Sequence, residues 1–446
     1  MNRRMTVDIH NYPRMYAQVE TQVRSSDLTQ KNKDLILAYR DACLLQQTCG
    51  KVRLIRIMGF LILAARTLGK DLDQATLIDL QSLVGTLMRR QPPYSPETLG
   101  TYKAIIKRFY TWLGSPQTFS SRAPAPPLVA WIATHVRARD KKKLERNELL
   151  LPTDINQAIT ASQNIRDKAF TSVLWESGAR IAENGNLQIK NATKNDVGYI
   201  LDLNGKTGRR SVLIVSSAPL LTQWLNQHPF RNDPEAPLWV HYHFTKEPRA
   251  LMYQTIRGML RENFRRAGIT KRIHPHLFRH SRATFVLASG LMTEAQAKAY
   301  FGWTPDSGQL ATYAHLLASD ANSAILRENN LAPAREVHDE LRASKCYRCG
   351  ELNASQAEYC TKCAAVLDLK KAYEHQQLHD LKDELFAKMF KLLVERGMTD
   401  EAAREIHDAN LGKTLKRLAM HITGERNITD APVNQNAIVV KENNLT

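Results

Sequence analysis

A histidine and an arginine three residues apart, in Pro275-His276-Leu277-Phe278-Arg279-His280, fall on one face of a helix turn. Gly302-Trp303 follows, and ten residues after that tryptophan comes Tyr313 in Tyr313-Ala314-His315-Leu316. Upstream stand Arg180, in Gly178-Ala179-Arg180-Ile181-Ala182-Glu183, and Lys206, in Asn204-Gly205-Lys206-Thr207-Gly208. These residue types suit attack on a phosphodiester. Charge on the nonbridging oxygens redistributes as a nucleophile approaches, so the reaction needs fixed cations, a nucleophile and an acid for the leaving oxygen. Arg180 and Arg279 fit the first task, because a planar guanidinium forks onto two phosphate oxygens and stays charged. Tyr313 offers a phenol, which at a pKa of about 10 needs neighbouring cations and His276 to lose its proton. Lys206 on a hairpin tip reaches the leaving 5′ oxygen as a general acid. Trp303 donates an indole hydrogen bond but cannot titrate.

No member of the set is diagnostic alone. Arg209 and Arg210 compete with Lys206 as the functional cation. Trp303 by itself reads as a core residue. Tyr300 competes with Tyr313 as nucleophile, although its apolar neighbours assign it to packing. The order and spacing of the whole set are what chance does not supply.

The set resembles the tyrosine recombinase (phage integrase) family. That family carries an arginine in a Gly-x-Arg-x-x-Glu-like box, a Gly-Lys hairpin, His-x-x-Arg-His, a Gly-His or Gly-Trp pair, and Tyr-x-His. Arg180 with Glu183, Gly205-Lys206, His276 with Arg279 and His280, Gly302-Trp303, and Tyr313 with His315 occupy those places in order. The resemblance covers residues 154–330, and the helical region before it is similar to the family's core-binding domain in pattern only. It implies that Tyr313 attacks a DNA phosphate, leaving a 3′-phosphotyrosyl link and a free 5′ hydroxyl. The partner duplex's 5′ hydroxyl then reverses the attack, in two strand exchanges through a Holliday junction. It further implies a tetramer on synapsed double-stranded DNA, with neither ATP nor a catalytic metal. Glu183 and His280 become supporting residues, Glu183 as an orienter of the cations or as a plain helix-surface carboxylate. Two departures stand out. Asn184-Gly185-Asn186 replaces apolar helix residues, which shortens the Arg180 helix, and Trp303 replaces the more frequent histidine.

The elements that position this set follow from pattern. Residues 12–114 read as all-helical. Ser95-Pro96-Glu97 is a helix start, with serine as N-cap and proline where no amide is needed. Leu99, Tyr102, Ile105, Ile106, Phe109 and Trp112 then recur at helical spacing up to Gly114. Further helices run from Val52 to Leu68 and from Ala75 to Leu87. Residues 115–150, with Pro116, Pro124, Pro126 and Pro127 and then Arg137, Arg139 and Lys141 to Lys143, read as a basic linker. Within a catalytic domain at 151–330, a helix holding Val173-Leu174-Trp175 runs into Arg180. Tyr199 to Leu203 and Ser211 to Val215 form a hairpin about Lys206.

Cys346-Tyr347-Arg348-Cys349 and Cys360-Thr361-Lys362-Cys363 are two C-x2-C pairs ten residues apart. Four thiolates at this spacing suit one tetrahedral structural zinc, and Gly350 suits a knuckle turn. A redox dithiol would need only one pair. The expected zinc ribbon spans 346–366 and looks like those appended to some archaeal integrases. Arg348 and Lys362 on its knuckles suit DNA, whereas a protein contact or rigid spacer fits the charge of the tail better. A helical tail is expected at 367–423, carried by Leu378, Leu381, Leu385, Phe386, Met389 and Leu392, then Leu411, Leu415 and Leu418. It is a candidate contact for a protein partner. Residues 424–446 are polar and expected to be disordered.

Charge supports a polyanionic partner. Residues 1–345 hold 48 Lys and Arg against 29 Asp and Glu, whereas residues 346–446 hold 14 against 15. The excess therefore belongs to the part bearing the phosphodiester set, which points to nucleic acid. With no membrane-length apolar run and no apolar signal core, the expectation is a cytoplasmic protein without a membrane role. The whole is a multidomain, mainly α chain: an all-α core-binding domain, an α+β catalytic domain with a small antiparallel sheet, and the cysteine module with its tail. Rival readings are a type IB topoisomerase, which reseals the same strand, and a catalytically silent DNA-binding protein.

Overall fold

Five helices open the chain: α1 (Tyr12–Ser25), α2 (Gln30–Leu45), α3 (Lys51–Leu68), α4 (Leu77–Arg89) and α5 (Pro96–Gly114). Side chains cap the starts of α4 and α5. Ser95 Oγ accepts the Thr98 amide at 3.2 Å ahead of α5. Asp79 accepts the Thr76 amide at 2.8 Å while Thr76 Oγ1 caps α4 in return. The expected stripe of α5 buries Ile105, Ile106, Phe109 and Trp112, and Tyr102 stacks on Phe60 at 4.2 Å. The same apolar cluster takes in Phe119, Val129 and Ile132, so its packing runs past residue 114, through the short α6 (Pro127–Ala130).

The structure, a computed structural model, describes residues 7–120, 122–137, 140, 145–205, 208–242, 246–304, 306–308 and 341–369, with single positions between 326 and 388. Lys206, Tyr313, His315, Lys141 to Lys143 and the expected 424–446 segment lie outside the described residues, as does almost all of the expected helical tail. Packing divides the chain into Met1–Ala357 with Thr361–Cys363, and Glu358–Cys360 with Ala364–Thr446; only the start of the second unit is described.

A second core is built around α8 (Ile165–Ser177), flanked by α7 (Pro152–Ala161) and followed by the five-residue α9 (Ile181–Gly185). Residues Ala169 to Ser177 of α8 are buried on every side, so the helix shows no amphipathic stripe. Two of its charged groups are paired: Arg166 donates to the Val240 carbonyl at 2.9 Å, and Glu176 accepts the amides of Val215, Ser216 and Ser217. The expected single helix into Arg180 is instead two, because Gly178 turns left-handed at φ 53° and ends α8.

A three-stranded antiparallel sheet follows, ordered β1 (Ala192–Asn195), β2 (Gly198–Gly205) and β3 (Gly208–Ile214). The β2–β3 hairpin matches the expected pairing, with Gly205 opposite Gly208. Strand β1 was not legible, since Ala192-Thr193-Lys194-Asn195 is an exposed edge with no alternating apolar face. Then come α10 (Ala218–Gln227), α11 (Tyr253–Arg266), α12 (Pro275–Ala288) and α13 (Glu294–Phe301). The fold is thus mainly helical with one small antiparallel sheet. The two-residue strands β4 (Ser344–Lys345) and β5 (Leu352–Asn353) pair around the first cysteine knuckle. Among the described residues, no helix is long and apolar enough to cross a membrane.

Candidate active site

Three elements converge on one charged cluster. Arg180 is the N-cap of α9, and Glu183 sits one turn on. Glu183 Oε2 accepts the Arg180 amide at 2.8 Å, while Oε1 takes the Arg180 guanidinium at 2.7 Å. Arg210 on β3 closes the cluster, donating Nη2 to Glu183 Oε2 at 2.8 Å and Nε to the Tyr300 carbonyl at 2.9 Å. The Glu183 side chain is only 2% exposed. Burial alone would raise its pKa, but the hydrogen bond and charge of Arg210, with the amide and guanidinium of Arg180, hold it below the usual value. Glu183 is therefore a buried carboxylate orienting two arginines, not a helix-surface residue.

Gly205 shows why the hairpin carries glycine beside Lys206. A Cβ there would lie 2.1 Å from Glu183 Oε1, so only a bare backbone fits. The strand end preceding Lys206 thus lies against the Arg180–Glu183 pair.

The third element is α12, capped by His274, whose Nδ1 accepts the Leu277 amide at 3.2 Å. Arg279 is buried, and its fork is fixed by carbonyls: Nη1 donates to Gly178 O at 2.9 Å and Nη2 to Phe301 O at 2.6 Å. The turn that ends α8 is thus the turn that supplies a carbonyl to Arg279. Trp303 is 8% exposed, stacks on Phe301 at 5.1 Å, and has its ring centroid 5.6 Å from the Arg279 guanidinium. It packs in a small cluster with Phe301, Val286, Ala297, Ala283 and Leu149.

His276 is the accessible member of α12. Surrounding protein lowers its pKa first, and the charges of Arg279 and Arg180 lower it further. Those charges register at one imidazole although the two arginines lie 99 residues apart in sequence. His280, one turn on, is held at about 4 by burial and then by His276, His274 and Arg279, so it is neutral at physiological pH. Tyr300 is occupied elsewhere: its hydroxyl donates to the Glu176 carbonyl at 2.8 Å, and burial pushes its pKa to about 12. It is a packing residue.

Arg210 is the member whose place the sequence left open. It lies opposite buried Leu203 and two residues before buried Val212, so strand alternation points it inward. That phase was the readable signal. Glu176 and Gly178 carried none, since their roles depend on Ser217 and Arg279, which lie far along the chain.

The cysteine module has a regular geometry of its own. The Sγ atoms of Cys346, Cys349, Cys360 and Cys363 all lie within 4.8 Å of one another. In the first knuckle, Gly350 N donates to Cys346 O at 2.9 Å and Cys346 N to Glu351 O at 2.8 Å. The second repeats this pattern, with Ala364 N to Cys360 O at 2.9 Å and Cys360 N to Ala365 O at 2.7 Å. Gly350 and Ala364 hold the matching left-handed positions, at φ 73° and 56°. Two identical turns presenting four clustered thiols could hold one metal ion.

Residues 148–319 match the family model described as the phage integrase family. A tyrosine recombinase XerC of Alcanivorax borkumensis is 22% identical over 232 residues, covering 51% of this chain and 72% of that protein. A tyrosine recombinase XerC 1 of Ralstonia nicotianae is 30% identical over 138 residues, covering 28% of this chain and 42% of that protein. Among solved structures, a XerH site-specific recombinase bound to palindromic difH substrate is 16% identical, with a TM-score of 0.49, covering 73% of this chain and 98% of that one. Residues 148–319 are thus similar to the tyrosine recombinases, a family of site-specific recombination enzymes.

Proposed function

We propose that this protein exchanges strands between specific double-stranded DNA sites through a 3′-phosphotyrosine formed by Tyr313. Tyr313 Oη attacks phosphorus as its proton passes to His276, and the P–O5′ bond breaks. Lys206 supplies the proton to the departing 5′ oxygen. Arg180 and Arg279 neutralise the nonbridging oxygens, and their charges help the phenol of Tyr313 give its proton to neutral His276. Trp303 braces Arg279, Glu183 fixes Arg180, and His280 packs behind His276. The partner duplex's 5′ hydroxyl then attacks the phosphotyrosine, passing through a Holliday junction. Bond energy is retained in the covalent link, so neither ATP nor a catalytic metal enters. Exchange between two duplexes cuts four strands, one per active site, which calls for a tetramer.

The observation that carries this reading is the buried Glu183 carboxylate, which joins Arg180, Arg210 and the strand end before Lys206 in one cluster. The basic excess in residues 1–345 supports a DNA substrate, and with it a cytoplasmic location. On the same reading we propose a core-binding domain at 12–114 whose packing continues to Ile132, a linker in the remainder of 115–150, a catalytic domain at 151–330, a zinc ribbon at 346–366 and a helical tail at 367–423.

The test uses duplexes from the ends of the host element, nicked so that the cleaved 5′ fragment diffuses away. An adduct stable to detergent is expected with the native protein and none with Tyr313→Phe. Absence of any adduct with the native protein sinks the reading. Relaxation of supercoils without recombinant product would favour the topoisomerase alternative instead.

For the cysteine module we propose one structural zinc held by Cys346, Cys349, Cys360 and Cys363, in a closed site with no part in the chemistry. About one zinc per freshly reduced chain is expected, and metal analysis finding none would refute it. A protein partner for the module and tail is part of the same proposal, since the near-neutral charge of 346–446 suits DNA poorly.

A further inference from the structure

Residues 7–10 come before the helical region in sequence but are built into the other core. Ile9 is 1% exposed and packs among the residues around α8 and α11, with Val7 against the same cluster. Its backbone is held on both sides: Ile9 N donates to Asn186 Oδ1 at 2.9 Å, and Tyr253 N donates to Ile9 O at 2.9 Å. A Cβ at Gly185 would lie 2.6 Å from Ile9 Cδ1. The His10 ring packs 4.8 Å from Tyr253 and 4.9 Å from Tyr12. Asp8 then accepts the amides of His10 and Tyr12 and starts α1. The segment Asn184-Gly185-Asn186, which departs from the family pattern, is thus the seat of this strap.

Asn186 is the C-cap of α9, and Arg180 is its N-cap. A five-residue helix does not hold its own shape in water, so its direction must come from what packs on it. Glu183 anchors its middle through Arg210, and the Asn184 carbonyl accepts the Trp239 indole at 2.9 Å. The end at Asn186 is held by Ile9.

We infer that Val7 to His10 form a positioning strap for Arg180, with Ile9 and Asn186 as the positioning residues. The inference rests on the recombinase reading and adds to it. The Arg180 helix is held from the start of the chain, and the strap runs straight into α1. The strap is thus continuous with α1 in the chain, and hydrogen-bonded and packed against the end of the Arg180 helix. Small displacements of a reacting group are enough to lower a rate severely while binding persists.

The experiment measures single-turnover cleavage of the nicked duplex at saturating full-length protein, together with DNA affinity and amide exchange across α9. Ile9→Ala and Asn186→Ala are expected to cleave about tenfold more slowly, with affinity within about twofold and faster exchange at residues 183–187. Ile9→Val should restore both readouts. Leu221→Ala, in the same core on α10, should keep the native rate at an equal folded fraction. Native cleavage by folded Ile9→Ala, or an equal slowing by Leu221→Ala, overturns the strap. If the native protein forms no adduct, the recombinase reading falls. The exchange data then decide alone: unchanged exchange across α9 in Ile9→Ala refutes the strap.

Discussion

The helical region at the start of the chain and the region around α8 hold themselves together by different physics. Among the described residues, the helical region buries two polar side chains, Asn32 and Thr111. Asn32 works as a latch, accepting the Leu72 amide at 2.7 Å and donating to the Lys70 carbonyl at 3.2 Å. Otherwise apolar stripes do the packing. The α8 region buries Arg166, Asp167, Glu176, Glu183 and Arg279, each bonded to a group distant in sequence or to another charge. Charges are costly to bury unless paired and hydrogen-bonded. On the proposed reading, a site that presents fixed cations to a phosphate accepts that cost, and a packing scaffold has no need to.

The sharpest way to break this contrast is at Glu183. Glu183→Ala leaves Arg180 and Arg210 facing each other without a shared carboxylate, and should destabilise the catalytic region by about 4 kcal/mol. Cleavage should fall with it, even where the protein is still folded. Urea unfolding with a parallel adduct assay measures both, and a variant of native stability would show that the carboxylate is dispensable.

Phe109→Ala makes the complementary cut. Phe109 is fully buried, with edge contacts to Tyr39 and Tyr110. Its loss should cost about 3 kcal/mol through cavity and transfer terms. The cleavage rate at saturating DNA should stay near native below the new melting range. A rate loss as large as that of Glu183→Ala would erase the distinction between scaffold and site.

The smallest effect is pH dependence. Folded His280 resists protonation down to about 4, whereas the unfolded chain takes up that proton near the ordinary value of 6.5. Between those values the unfolded state binds more protons, so stability is full above 6.5 and falls as the pH drops toward 4. The share due to His280 should be about 2 kcal/mol after allowance for partial solvent screening. His280→Gln should flatten the slope of the urea midpoint between pH 7.5 and 5, and Phe109→Ala should keep it. An unchanged slope in His280→Gln would refute the assignment.

Legibility followed the same divide. Helix caps and stripes are local, so Ser95, Thr76 and the Ile105-to-Trp112 face could be read directly. The α8 region was legible in its chemistry but not in its joints. Its central helix is buried all round and shows no period, and the break at Gly178 answers to Arg279, 101 residues away. Strand β1 has no apolar face, and its pairing with β2 alone makes it a strand.

Residue types and spacing alone determined the chemistry on offer: two arginines, a histidine, a lysine and a tyrosine in a fixed order, and four cysteines in two equal pairs. These are intrinsic properties of side chains, and no fold is needed to see them. Only the tertiary structure decided that Glu183 is buried between Arg180 and Arg210, that Tyr300 is locked onto Glu176, and that Ile9 reaches Asn186. Those contacts join segments far apart in the chain. They depend on where folding brings the segments together, which no local pattern encodes.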